Sequence, residues 1–155
     1  EVVDVPALLA SVREDAVLLS GDKGHAIELE CEPGLMLLGA DRELFSAFGN
    51  LVSNAIRYTP DGGTIRMRWY VDAAGAHFEV LDTGLGIDPL HIPRLTERFY
   101  RVDVGRSRQG GGTGLGLAIV KHVLTRHAAM LHVESVPGEG SVFRCEFPPG
   151  RIERA

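Results

Sequence analysis

The 155 residues predict an α/β (α+β) two-layer sandwich, with a mixed, mostly antiparallel sheet covered by helices on one face. Three stretches carry that prediction. Residues 41–59, DRELFSAFGNLVSNAIRYT, place Leu44, Phe48, Leu51, Val52 and Ala55 at the i, i+4, i+7, i+8, i+11 spacing of a buried helical stripe. Residues 64–71 alternate Ile65, Met67, Trp69 and Val71 with Arg66 and Arg68, and residues 76–82 alternate Phe78 and Val80 with His77 and Glu79. Strands that are charged on one face and apolar on the other belong to an antiparallel sheet that is covered on one side only.

The remaining elements follow in order. Residues 7–20 read as an amphipathic helix entered through Pro6 and broken by Gly21 to Gly24. Residues 25–31 alternate, with Ile27, Leu29 and Cys31 opposite Glu28 and Glu30, as a half-buried strand does. Pro33-Gly34 turns the chain into a short apolar strand, Leu35–Leu38. Asp41 is the expected N-cap of the 41–59 helix, with Glu43 in its first turn, and Thr59-Pro60-Asp61-Gly62-Gly63 ends it. Asp72-Ala73-Ala74-Gly75 joins the next two strands as a hairpin. Residues 83–112 are irregular, 113–127 return to helix, and strands at about 130–135 and 141–147 close the fold, with Phe143, Cys145 and Phe147 inward. The expected organisation is one domain over 1–149, a flexible lid at about 88–112, and a charged tail at 150–155.

Composition narrows the function. A 45% hydrophobic chain of this length builds one real core. A net charge of −5 argues against a nucleic-acid surface. Cys31 and Cys145 lie in strand-like segments without CxxC or His partners, so buried free thiols are expected and a zinc site is not. There is no apolar run of membrane-spanning length and no signal peptide, and the opening on Glu1 reads as a piece of a longer protein.

Chemistry concentrates in four places. On the 41–59 helix, Asn50, Asn54 and Arg57 form a second stripe opposite the apolar one, with Tyr58 at its border. Asn prefers caps and turns, so two of them one turn apart in mid-helix suggest a row of ligands. The amide oxygen of Asn54 suits Mg²⁺ and Arg57 suits phosphate, although a solvated helix face fits the same pattern. Asp82-Thr83-Gly84-Leu85-Gly86 follows a strand. Such a carboxylate can accept from an exocyclic amine like that of adenine, or the pentapeptide simply starts a loop. Gly110 to Leu117 is a glycine-rich entry to a helix, suited to anions but matching neither the Walker A nor the dinucleotide pattern. Between them, Arg94, Arg98, Arg101, Arg106 and Arg108 face only Glu97 and Asp103. This is either a basic lid over a polyphosphate or a solvated loop.

Taken in order, these segments resemble the catalytic and ATP-binding domain of bacterial sensor histidine kinases, of the Bergerat-fold ATPase/kinase superfamily. The resemblance covers essentially the whole chain: the N box at Asn50 to Tyr58, the G1 box at Asp82 to Gly86, the F box at Arg98-Phe99-Tyr100-Arg101 and the G2 box at Gly112 to Leu117. It implies ATP and Mg²⁺ as cofactors. Asn54 would ligate the metal, and Asn50 and Arg57 would act catalytically along the triphosphate with Tyr58 beside it. Asp82, with Gly84, Gly86 and Ile87, would hold the base. Gly112, Thr113, Gly114, Leu115, Gly116 and Leu117 would line the phosphates. Phe99 would anchor the lid, and Arg101 and Arg108 would reach from it.

The resemblance also separates reaction types. ATPases of the superfamily carry Glu where this chain has Asn50, and an amide cannot take a proton from water as a carboxylate does. It therefore implies phosphoryl transfer to a histidine on a dimerisation domain, by positioning and charge neutralisation. None of the six histidines of this chain is followed by the acidic residue of a phosphoacceptor motif, so all read as structural or surface groups. The implied setting is the cytoplasmic part of an inner-membrane-anchored homodimeric sensor kinase that serves a response regulator, with this domain alone monomeric and touching neither nucleic acid nor membrane. A clamp-type ATPase and a nucleotide-binding domain without turnover are the alternatives.

Overall fold

The computed structural model of the chain describes residues 1–98, 100 and 116–155. Among the described residues three helices, α1 (Val5–Ser20), α2 (Asp41–Tyr58) and α3 (Gly116–Arg126), cover one face of a five-stranded sheet. Its strands are β2 (Ala26–Cys31), β4 (Thr64–Asp72), β5 (Gly75–Asp82), β6 (Met130–Val136) and β7 (Gly140–Phe147), in the order β2-β4-β5-β7-β6. Among the described residues only β2 and β4 of this sheet run parallel; the other pairs are antiparallel, as the alternation predicts.

Helix α2 lies between α1 and α3 and packs on β4 and β5. Its Phe48 is fully buried, with ring centroids 4.4 Å from Phe78, 6.0 Å from Phe147 and 6.5 Å from Trp69. The Trp69 indole N–H donates to the Leu35 carbonyl (2.9 Å), so the largest core ring leaves no buried donor unpaired.

Three details differ from the sequence reading. Asp41 is the first helical residue rather than the cap. Ala40 takes the cap position with no side-chain bond, and its N–H is instead accepted by His127 Nε2 (3.0 Å) from the end of α3. The short strand β3 (Leu35–Leu38) belongs to a second sheet, between β1 (Val2–Val3) and β8 (Ile152–Arg154). Residues 150–155, read as a charged tail, thus include a strand, clipped by Arg151 to the Leu38 carbonyl and by Arg154 to Glu32. Finally, β5 is buried on both faces. As the central strand it has Tyr70 and Arg68 from β4 lying over His77 and Glu79.

Both cysteines are free thiols as expected, Cys145 buried and Cys31 half-buried, and burial raises the pKa of both. Among the described residues no helix is long and apolar enough to cross a membrane.

Candidate nucleotide site

Among the described residues, the fold brings the Asp82–Gly86 segment and Gly116 toward the C-terminal half of α2. The apolar stripe of α2 faces the core, so Asn50, Asn54, Arg57 and Tyr58 fall on its half-buried flank. The Asn50 amide nitrogen donates to the Ser46 carbonyl (2.7 Å), which fixes the rotamer and aims the amide oxygen away from its own helix backbone. That oxygen meets the first residue of α3: a Cβ on Gly116 would stand 3.0 Å from Asn50 Oδ1. The Arg57 guanidinium sits 5.9 Å from the Tyr58 ring.

Asp82 ends β5 on the inner, helix-facing side of the sheet. Burial pushes its carboxyl above the usual carboxylate range, and hydrogen bonds from the Gly84 and Ser141 amides pull it part of the way back. The Gly84 bond is 2.8 Å. The loop that follows leaves no room for a side chain at Gly84 or Gly86. A Cβ on Gly84 would lie 2.6 Å from the Tyr58 carbonyl oxygen and 2.8 Å from Asp82 Oδ1. Gly86 has φ +73°, and its Cβ would lie 2.2 Å from the Val136 carbonyl. Leu85 N–H donates to the Tyr58 carbonyl (3.2 Å), and Ile87 N–H to Ser135 Oγ (2.7 Å). The Asp82–Ile87 loop is thus pinned between the end of α2 and the β6–β7 turn, with Ile87 packed against the core.

Leu117 on α3 is half-buried against the same core. Leu95, between the G1 and G2 segments in the chain, is buried in the same core, and Arg94 bridges Glu97 (3.1 Å) and covers the Tyr100 ring at 4.4 Å. Phe99, Arg101, Arg108, Gly112, Thr113, Gly114 and Leu115 lie outside the described residues, as does most of the expected lid.

Two residues that the sequence reading did not single out belong to the same corner. Thr59, which caps α2, is buried, and among the described residues its hydroxyl has no hydrogen-bond partner. That hydroxyl lies 3.1 Å from the Gly84 Cβ position, beside Asp82 Oδ1. Ser135 links the Ile87 amide to the Gly140 carbonyl (3.0 Å) and to Ser141 Oγ (2.8 Å). Nothing in the local sequence signals either role, because every partner is remote in the chain.

The site therefore offers, at one end, a carboxylate raised by burial in a loop that excludes side chains at Gly84 and Gly86. At the other, an amide oxygen stands against a glycine at a helix start, with a cation and a phenol along the same helix flank. That donor set has the chemistry to hold a nucleotide.

Residues 39–151 match the model of the histidine kinase-, DNA gyrase B- and HSP90-like ATPase family. The chain is 59% identical over 153 residues to the phosphate regulon sensor protein PhoR of Pseudomonas aeruginosa, spanning 99% of this chain and 34% of that protein. It thus covers about a third of the length of that relative. Among solved structures, the mycobacterial sensor histidine kinase MprB superposes with TM-score 0.85 at 30% identity, covering 96% of this chain and 97% of that one. Full-length ShkA in complex with AMPPNP superposes at 0.84 and 28% identity, covering all of this chain and 31% of that one. With that match running from before α2 to the C-terminal strands, the chain belongs to the histidine kinase-, DNA gyrase B- and HSP90-like ATPase family.

Proposed function

We propose that this chain is the Mg-ATP-binding, phosphoryl-donating domain of a two-component sensor histidine kinase acting in phosphate-starvation signalling. The observation that carries the reading is the placement of the Asp82 carboxylate in a glycine loop pinned to the end of α2, the helix that also presents Asn50, Asn54 and Arg57. Similarity to PhoR and to the AMPPNP complex of ShkA supports it.

In this reading Asp82 accepts from the adenine amino group, while Gly84, Gly86 and Ile87 shape the space for the base. Asn50 and Arg57 lie along the triphosphate with Tyr58, and the Asn54 amide oxygen ligates Mg²⁺. Gly112 to Leu117 supply backbone N–H groups toward the phosphates. Phe99 anchors the lid, from which Arg101 and Arg108 reach the triphosphate. Mg-ATP supplies the transferable phosphoryl group and a metal that offsets its charge. The protein aligns that group and neutralises charge, and the acceptor is a histidine on a dimerisation domain of the longer protein. The domain alone is monomeric. The longer protein is a membrane-anchored homodimer with this part in the cytoplasm, passing phosphate to a response regulator and binding no nucleic acid.

A hydrolytic clamp is the competing activity. Position 50 opposes it, because the Asn50 amide nitrogen is already committed to Ser46 and its oxygen cannot take a proton from water.

Incubating the chain with γ-labelled ATP, Mg²⁺ and the isolated dimerisation helices of the Pseudomonas relative tests the proposal. Acid-labile, base-stable label on those helices is the expected result. Bound ATP with no transferred label would reduce the chain to a binding module.

A further inference from the structure

We infer that His25, outside every motif of the nucleotide site, is a positioning residue for its base-binding end. The inference rests on the reading of Asp82 as the adenine acceptor. Its ring bridges the ends of two helices: Nε2 donates to the Thr59 carbonyl (2.8 Å) at the cap of α2, and Nδ1 bonds Ser20 Oγ (2.7 Å) at the end of α1. A carbonyl only accepts, so Nε2 carries a proton, and in the neutral ring the Ser20 hydroxyl donates to Nδ1. The same hydroxyl accepts from the His25 amide (3.1 Å), which closes a locked, fully satisfied ring.

The turns on either side are zipped together as well. Gly62 N–H donates to the Lys23 carbonyl (2.9 Å), and Ala26 N–H to the Gly63 carbonyl (2.9 Å). The carbonyl that His25 holds is one peptide beyond the Tyr58 carbonyl, which receives Leu85 N–H from the glycine loop. Thr59 Oγ1, the Tyr58 carbonyl and Asp82 Oδ1 all converge within 3.1 Å on the space that Gly84 leaves free. His25 thus sets the end of α2 against which the Asp82 loop is built, and ties it to α1.

A fold-only role and a positioning role make different predictions. If His25 only stabilises the fold, its loss weakens every nucleotide equally. If it positions the base end, its loss erodes the preference for adenine over a base without the exocyclic amine. Affinities of an adenosine and an inosine triphosphate analogue are measured by calorimetry on the wild type, His25→Ala and the milder Ser20→Ala, well below each melting temperature. The adenosine-to-inosine preference is expected to fall about fivefold to tenfold in His25→Ala and by about half that factor in Ser20→Ala, the scale of one or two lost hydrogen bonds. An unchanged preference in the folded variants, with affinity lowered in parallel or not at all, would overturn the inference. Asp82→Asn is run alongside. If it leaves the preference intact, the adenine reading fails at its source; if it abolishes the preference while His25→Ala does not, only the positioning role fails. Should His25→Ala not fold, Ser20→Ala decides alone, with hydrogen exchange of the Leu85 amide expected to quicken in it and an unchanged rate counting against the inference.

Discussion

Gly84 sits so close to the last turn of α2 that a Cβ would stand 2.6 Å from the Tyr58 carbonyl oxygen, with Asp82 Oδ1 and Thr59 Oγ1 crowding the same point. A backbone carbonyl already bonded to Leu85 cannot step aside cheaply. Gly84→Ala should therefore displace the loop that carries Asp82, weakening adenine-nucleotide affinity by about tenfold or more and costing about 1–3 kcal/mol of stability. Calorimetry and urea unfolding on one preparation check both. Wild-type affinity in the variant would mean that the loop tolerates the methyl and does not position Asp82.

Asp82 should trade stability for function. Its carboxyl is raised by burial, so the folded state holds the proton to higher pH than the unfolded chain, whose value is near 3.8. The unfolded state therefore binds fewer protons between the two values, and stability falls as pH rises through that window. Asp82→Asn removes the buried charge and keeps an acceptor for the Gly84 amide. At pH 7 it should melt roughly 2–4 °C higher while binding adenine nucleotide poorly. Melting curves from pH 3 to 8 should converge for the two proteins at the acid end.

Helix α3 ends in a pattern that invites glycine. Ala129 N–H returns to the Leu124 carbonyl (2.8 Å), and Ala128 between them has φ 57°, the left-handed region that an alanine enters at a cost. Ala128→Gly should raise stability by about 0.5–1 kcal/mol without touching the site, read as a shift in urea midpoint at constant slope.

How much of this was legible in the sequence depended on how local each cause was. Helix α2 and both its stripes could be read because Leu44, Phe48 and Leu51 keep a 3.6 period through 18 residues. The Thr64–Asp72 and Gly75–Asp82 strands were legible for the same reason at period two. Strands β1 and β8 were not, since two or three residues carry no period and their pairing with Leu35–Leu38 joins the two ends of the chain. Ala40 caps α2 without a side-chain bond because alanine has no acceptor, and its own N–H is taken by His127, 87 residues away. The burial of His77 and Glu79 on the outer face came from Tyr70 and Arg68 reaching across from the neighbouring strand. In the site, Asp82 and its glycines were visible as a motif. Thr59 and His25 were not, because their partners meet only in the folded chain.

That outer face makes a separate prediction. Burial and a 2.6 Å hydrogen bond to Glu79 push the Tyr70 phenol up to about 12. The unfolded phenol ionises near 10, so between pH 10 and 12 the folded state retains a proton that the unfolded state has lost, and stability declines across that interval. Ultraviolet titration should show one tyrosine ionising about two units late, and Tyr70→Phe should abolish that component and flatten the alkaline stability profile. A Tyr70 that titrates with the other tyrosines would mean that the Glu79 bond is not held in solution.

The most direct test of the nucleotide site is a calorimetric titration of the chain with a non-hydrolysable ATP analogue, with and without Mg²⁺, beside Asp82→Ala. Binding should strengthen with Mg²⁺ and collapse in the variant. Wild-type binding absent under both conditions, or an Asp82→Ala protein that binds as well as wild type, would contradict a nucleotide site here.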